Sequence, residues 1–394
     1  MEKKYINDLK AQFIDTYQKV MIENGANPAP RAVFRKQHGI VHGELSLTNN
    51  LPIEKLVGDL GFFGIKDNFK CVMRFSSDTD PKKTDVKSTI GLGLKIFDLP
   101  NNAEGFEGTN TDFIFQNIDV FFAQNAQQMV EFTQISSSGD ISQLNEYYRE
   151  NKELKRILDQ MEKYEDSCLT TAYYPIIPFR LGEKHMIKLR LKPAVEENFP
   201  VIMKQKDYLA KDLQQKLSND SFQFILEGQI KEIDEKIADN LQLRWDESFI
   251  EIGRLHLPKQ DLNLIGVKEL GNHINFNCWR INSLNQPLGS IAEARRDVYK
   301  YGAETRYSAN ALEFREPQGG ICPFHAQNND EKITDHEIVS AAIYPSIGIM
   351  RVGNSDEYYI GPQVPEPIMS MIFLFIGIKK VKLKDRQQNL EYMV

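Results

Sequence analysis

The residues of this chain best suited to chemistry lie at Arg295-Arg296-Asp297-Val298-Tyr299, with Arg306 seven positions further on. On a helix Arg295 and Tyr299 share one face, and Arg306 returns close to that face two turns later. A phenol titrates near ~10 and is a poor ligand at neutral pH. A neighbouring guanidinium favours the phenolate, a hard anionic donor suited to ferric iron. The same spacing also describes an ordinary amphipathic turn with its arginines in water, so the rest of the chain must separate the two readings. Cys322-Pro-Phe-His325 is a lone C-x-x-H and reads as packing. The four cysteines (Cys71, Cys168, Cys278, Cys322) are scattered without a CxxC, which suggests neither a zinc ribbon nor a redox pair.

The elements that must position these residues belong to a chain of 394 residues, long enough for one large domain or two to three ordinary ones. Hydrophobic residues make up 41% and charged residues 26%, as in a soluble globular protein. The 23 phenylalanines favour a large core or an apolar ligand cavity. A net charge of −7 without a long basic run argues against nucleic acid or an anionic membrane as partner. The start has no apolar stretch of signal-peptide type. The most apolar run, Ile368 to Ile378, is too short for the ~20 residues a spanning helix needs. A cytoplasmic protein with reduced thiols is expected.

Ile6 to Ile22 reads as an amphipathic helix, closed by Asn24-Gly25 and the linker Asn27-Pro28-Ala29-Pro30. Alternation then predicts strands over 40–48, 70–76, 91–97, 112–115, 183–193, 221–233 and 249–257. Helices are expected over 126–135, 140–166 and 204–217. Many strands with helices gathered late argue for an α+β protein built on an antiparallel sheet or barrel. The expected organisation is a helical arm (1–30), a main body (31–318) and C-terminal strands or a wrap (319–394). No GxGxxG or GxxxxGK[ST] is present, so a dinucleotide or P-loop site is not expected.

Five separated features stand in order: Arg31 to Gly39, with Arg31-Ala-Val-Phe34 and Lys36-Gln-His-Gly39; Arg74-Phe75-Ser76; Asn117 followed by Val120-Phe-Phe122; Arg295-x-x-x-Tyr299; and Arg306. Together they resemble the haem catalases, and more closely the short catalase-like haem proteins, over roughly residues 30–310. The resemblance implies a catalase-like antiparallel β-barrel with surrounding helices and no C-terminal flavodoxin-like domain. It implies haem b, with Tyr299 as the axial iron ligand supported by Arg295. Arg31, Arg74 and Arg306 would bind the propionates, since arginine forks suit carboxylates. Val33 and Phe122 would pack on the distal face, with Asn117 as the distal polar group. A homo-oligomer is expected by the same resemblance.

The sequence departs from that family at two points. Asp119 stands where the family has proline, and Phe34 stands where it carries the distal histidine. Peroxide dismutation needs a base that takes a proton and returns it, a contribution of ~10²–10⁴-fold. A phenyl ring cannot provide it. His38 and His42, if the segment is extended, lie on the face of Phe34 but about 13 and 26 Å along it at ~3.3 Å per residue. The expected activity is therefore a haem-dependent conversion of an organic hydroperoxide or another apolar substrate, with little dismutation of hydrogen peroxide. A non-enzymatic haem-binding or sensing protein, and a residual catalase or peroxidase, remain as alternatives.

Overall fold

The computed structural model describes residues 3–48, 51, 58–99, 105–106, 108–195, 206–263, 267–312 and 316–317, with three short strands beyond. The chain divides into two compact units, Met1–Asn310 and Ala311–Val394. In the second, β9 (Gly348–Arg351), β10 (Glu357–Gly361) and β11 (Lys380–Lys382) form an antiparallel sheet in the order β11-β10-β9. Cys322–His325 and the apolar run 368–378 lie outside the described residues.

The first unit is built on eight antiparallel strands: β1 (Lys36–Leu47), β2 (Asn68–Ser77), β3 (Ile90–Ile96), β4 (Thr111–Gln116), β5 (Phe179–Leu181), β6 (His185–Pro193), β7 (Phe222–Glu232) and β8 (Ile250–Leu257). Their order, β4-β3-β2-β1-β8-β7-β6-β5, joins two four-stranded meanders where β1 pairs with β8. The sheet curls until its ends approach. Bridges from Gln116 to Tyr174 and from Tyr173 to Leu191 lace the β4 edge to β6. Aromatic rings fill the interior: Phe113 meets Phe179 at 5.4 Å, Phe75 meets Tyr173 at 6.0 Å and Tyr173 meets Phe224 at 6.1 Å between centroids. The abundance of phenylalanine thus serves the barrel core first.

Helices pack around this sheet. The N-terminal segment runs through α1 (Lys4–Lys10), π-helical turns (Ala11–Gln18) and α2 (Lys19–Glu23). Next come α3 (Ala126–Ser137), α4 (Ile141–Glu150) and α5 (Lys152–Met161). The single helix expected over 140–166 is divided at Asn151. Its side-chain amide donates to the Tyr147 carbonyl at 3.0 Å, competing with the helical ladder. Asp140 caps α4 by accepting from Gln143 N–H at 3.0 Å. The remaining helices are α6 (Tyr208–Asn219), α7 (Glu235–Ala238), α8 (Val267–His273) and α9 (Ser290–Ala309). No helix among the described residues is long and apolar enough to cross a membrane.

One buried carboxylate ties α9 to the barrel. Asp112 on β4 accepts from Lys95 Nζ on β3 at 2.7 Å, both side chains being fully buried, and from Arg280 Nη1. It also accepts from the Asn277 N–H at 3.0 Å. Asn277 donates onward to the Arg296 carbonyl at 2.9 Å, and Trp279 Nε1 donates to the Ala292 carbonyl at 2.7 Å. The 277–280 loop is therefore clamped between barrel and helix. Asp112→Asn is expected to lose roughly 3–5 kcal/mol in a urea titration, because it leaves Lys95 charged and uncompensated in the interior.

Candidate functional site

α9 follows Gly289 at its N-cap, whose φ of +90° suits a residue without a side chain, and carries Tyr299 midway along its length. Tyr299 faces a cavity of about 420 Å³ between barrel and helices. Arg31, Val33, Phe34, Phe122, Arg295 and Arg306 line the same cavity. Arg74 lines an adjoining hollow of about 70 Å³ that shares Arg31, Val33, Phe34 and Tyr299 with it. The N-terminal segment contributes Leu9, Phe13 and Ile14 to the wall, and Gln18 Nε2 donates to the Gly302 carbonyl of α9 at 3.1 Å.

Arg295 Nη2 donates to the Tyr299 hydroxyl at 3.3 Å and Nη1 to the Pro175 carbonyl at 3.3 Å. Burial opposes the charge on Arg295, but the fields of Tyr299 and Cys278 and the Tyr299 hydrogen bond hold its pKa above the ordinary value. The guanidinium is thus poised to stabilise a phenolate.

The other three arginines converge on the C-terminal end of α8. Arg31 donates to the Gly271 carbonyl at 3.2 Å and to the Ile274 carbonyl. Arg74 Nε donates to Gly271 O at 2.9 Å, and Arg306 Nη2 to His273 O at 3.3 Å. Carbonyls at a helix C-terminus carry partial negative charge and suit cations. No carboxylate pairs with any of the three among the described residues, and the buried Nε atoms of Arg31 and Arg306 have no partner. Burial, followed by Arg306 and Arg74, pushes Arg31 well below its ordinary pKa. Burial and Arg306 bring Arg74 down to about 9. Arginine keeps its proton in proteins, so these depressions measure an unmet demand for anions.

Phe34 takes φ +51°, in the left-handed region, and its carbonyl accepts from Arg74 Nη1 at 3.1 Å. Its ring lies over Gly91, where a Cβ would sit 2.5 Å from Phe34 Cδ1, so only glycine admits it. The chain is therefore not extended at Phe34, and β1 begins only at Lys36. His38 falls where the pairing of β1 with β2 shifts, between Gln37 and Gly39. It is buried, neither ring nitrogen has a partner, and it does not line the cavity. Burial, then Lys36 and Arg74, lower its pKa to about 3.

Asn117 is not brought to the cavity. Its Oδ1 accepts from Ile90 N–H at 3.0 Å and its Nδ2 donates to Glu165 at 2.7 Å. The preceding residue, Gln116, lines the cavity instead, with its buried Nε2 free of any protein acceptor. Gln116 shares a strand face with Ile114, which lines the adjoining hollow, but alternation alone does not say which face of β4 is turned to the cavity. Asp119 forms a two-pronged pair with Arg244 at 2.6 and 2.8 Å, which accounts for an acid at this position.

No protein-family model and no curated protein matches the sequence. Solved structures do match in shape. A fungal catalase aligns at TM-score 0.56 and 16% identity, covering 80% of this chain and 68% of that one. A bacterial catalase aligns at 0.58 and 16%, covering 81% and 64%. Catalase A from Saccharomyces cerevisiae aligns at 0.55 and 17%, covering 80% and 70%. This is the catalase fold. The chain spans between 64% and 70% of the length of those catalases. At such identity the catalase fold fixes the architecture, and the residues on the cavity decide the chemistry.

His38 makes stability pH-dependent. Its folded pKa lies below its unfolded value of about 6.5, so its contribution is intact above that pH and is lost as pH falls toward about 3. Urea titrations at pH 7 and pH 4.5 should show a stability gap that narrows by about 2–3 kcal/mol in His38→Leu. His273, lowered to about 4 by burial and then Arg306 and Arg31, supplies a residual slope.

Proposed function

We propose that this protein is a haem-dependent oxidoreductase acting on an organic hydroperoxide or another apolar substrate, in which Tyr299 would hold the iron of haem b. The observation that carries the reading is the charge imbalance at the cavity. Arg74 and Arg306 are buried and Arg31 is half-buried with a buried Nε, all three without a carboxylate among the described residues and two of them with an orphaned Nε, beside an apolar-walled space lined by Tyr299. A planar apolar group bearing two carboxylates and a ferric ion answers each of those demands. The residues present therefore fit haem.

When bound, the haem iron supplies the centre at which a peroxide O–O bond is cleaved. The chain's own residues do the rest. Arg295, which already donates to the Tyr299 hydroxyl, would support negative charge on that oxygen, and Arg31, Arg74 and Arg306 would hold the carboxylates through guanidinium forks. Val33, Phe34, Phe121 and Phe122 form an apolar wall that excludes water and admits a hydrocarbon tail. Phe34 removes the proton relay that dismutation of hydrogen peroxide needs, whereas homolysis of an organic hydroperoxide requires no proton returned to the leaving oxygen.

Protein supplied with haem should show one Soret band per chain, and Tyr299→Phe should weaken haem binding at least ~10-fold, about 1.4 kcal/mol. A folded chain that shows no Soret band after loading would falsify the proposal. Oxygen release from hydrogen peroxide by the loaded protein should lie ~10²-fold or more below that of Phe34→His. Brisk oxygen release by the unaltered protein would overturn the substrate assignment while leaving the haem assignment standing.

A further inference from the structure

Among the polar groups on the cavity that have no part in holding haem, two bear on proton transfer. One is the Gln116 amide described above. The other is Asp78, just beyond Ser77 at the end of β2. Asp78 and Thr89 clasp each other through the main chain: the Asp78 N–H donates to Thr89 O and the Thr89 N–H donates to Asp78 Oδ1, both at 3.1 Å. This ties the carboxyl to Thr89, just before β3, at the cavity wall. No lysine or arginine pairs with it among the described residues; the neighbouring Arg35 is engaged with Asp80 at 3.2 Å. The other ionisable groups on the same cavity are Arg31, Arg295, Tyr299 and Arg306. Asp78 is an exposed residue on the cavity wall, and the protein packed around its carboxyl still desolvates it in part. Desolvation first, opposed by the Thr89 N–H, Asp78's own N–H and the Thr89 hydroxyl, pushes its pKa up to about 6.

We infer that Asp78 is the proton acceptor of this cavity, taking the hydroperoxide proton on binding, with the Gln116 amide orienting the oxygen that loses it. This inference rests on the haem reading above and names the base that reading lacks. The step is a proton transfer without redox change. The O–H bond of R–O–O–H breaks, its electron pair stays on the terminal oxygen, and a new O–H forms on the Asp78 carboxylate. The anionic peroxide oxygen is left as a ligand donor, and Gln116 Nε2 donates a hydrogen bond toward it. A carboxylate that titrates near the working pH is suited to the task. Asp78 holds the proton on the cavity wall and not at position 34. It therefore serves deprotonation on entry, which homolysis uses, and not the return of the proton to the leaving oxygen, which dismutation uses.

Cyanide tests this without turnover, because hydrogen cyanide must also surrender a proton to bind ferric haem. The experiment follows the Soret shift of the haem-loaded full chain after mixing with cyanide, from pH 4.5 to 8. In the unaltered protein the association rate should rise with pH through an inflection near 6. Asp78→Asn should remove the inflection and slow association ~10²-fold or more. Imidazole, which binds as the neutral base, should associate equally well with both, showing that the haem pocket is intact. Asp78→Glu should retain an inflection at a displaced pH and decides the matter should Asp78→Asn fail to fold. An Asp78→Asn protein with an intact Soret band and the wild-type cyanide profile would overturn the role of Asp78 and leave the haem assignment untouched. So would an Asp78→Glu protein whose inflection does not move. Absence of a Soret band in the unaltered chain would overturn both.

Discussion

The Asp112 carboxylate, buried on β4 between Lys95 and Arg280, is the interaction on which the rest of the molecule depends. A buried charge is costly unless every lone pair is met, and here two cations and a main-chain N–H meet it. The consequence is positional. The loop bearing Asn277 and Trp279 is clamped to the barrel edge, and through their bonds to the Arg296 and Ala292 carbonyls α9 is set at a fixed height over the sheet. Tyr299 lies one turn beyond Arg296, so the placement of its hydroxyl follows from a carboxylate that never touches the cavity.

Around that hydroxyl the protein has gathered positive charge without its complement. The C-terminal carbonyls of α8 receive Arg31, Arg74 and Arg306, which accounts for how three guanidiniums coexist, but dipoles do not neutralise them. Burial first, and then their mutual repulsion, lowers Arg31 and Arg74, and burial followed by Arg306 and Arg31 lowers His273 beside them. Buried cations with unfilled donors and an apolar wall opposite describe the chemical outline of an amphiphilic polyanion. The N-terminal segment closes that outline, since Leu9, Phe13 and Ile14 come from it and Gln18 bonds the helix that carries the tyrosine.

The distal side is organised by a steric constraint. Gly91 leaves room for the Phe34 ring at the point where β3 passes beneath it, and the left-handed backbone of Phe34 turns the chain before β1 starts. A phenyl ring, which can neither take nor give a proton, therefore stands at this point of the cavity, and the polar groups Gln116, at the end of β4, and Asp78, just after β2, lie on its wall.

The strand alternation and the turn residues carried the α+β class and most of the elements, as local patterns of period 2 and 3.6. The set of Arg31, Arg74, Arg295, Tyr299 and Arg306 came from ordered motifs that resemble the haem catalases, and the fold brings these residues to one cavity and the hollow beside it. The break at Asn151 was less visible, because it rests on a side-chain bond to Tyr147 within an otherwise helical pattern. Only the tertiary structure decided which of two adjacent amides, Asn117 or Gln116, faces the cavity. A register shift of one residue reverses every side chain of a strand, and pairing with β3 sets that register. Only the fold, too, showed that the bulge at His38 buries its ring away from the cavity and that Asp78 reaches the wall. Both follow from how distant strands end against one another, a relation between residues far apart in sequence that no local pattern encodes.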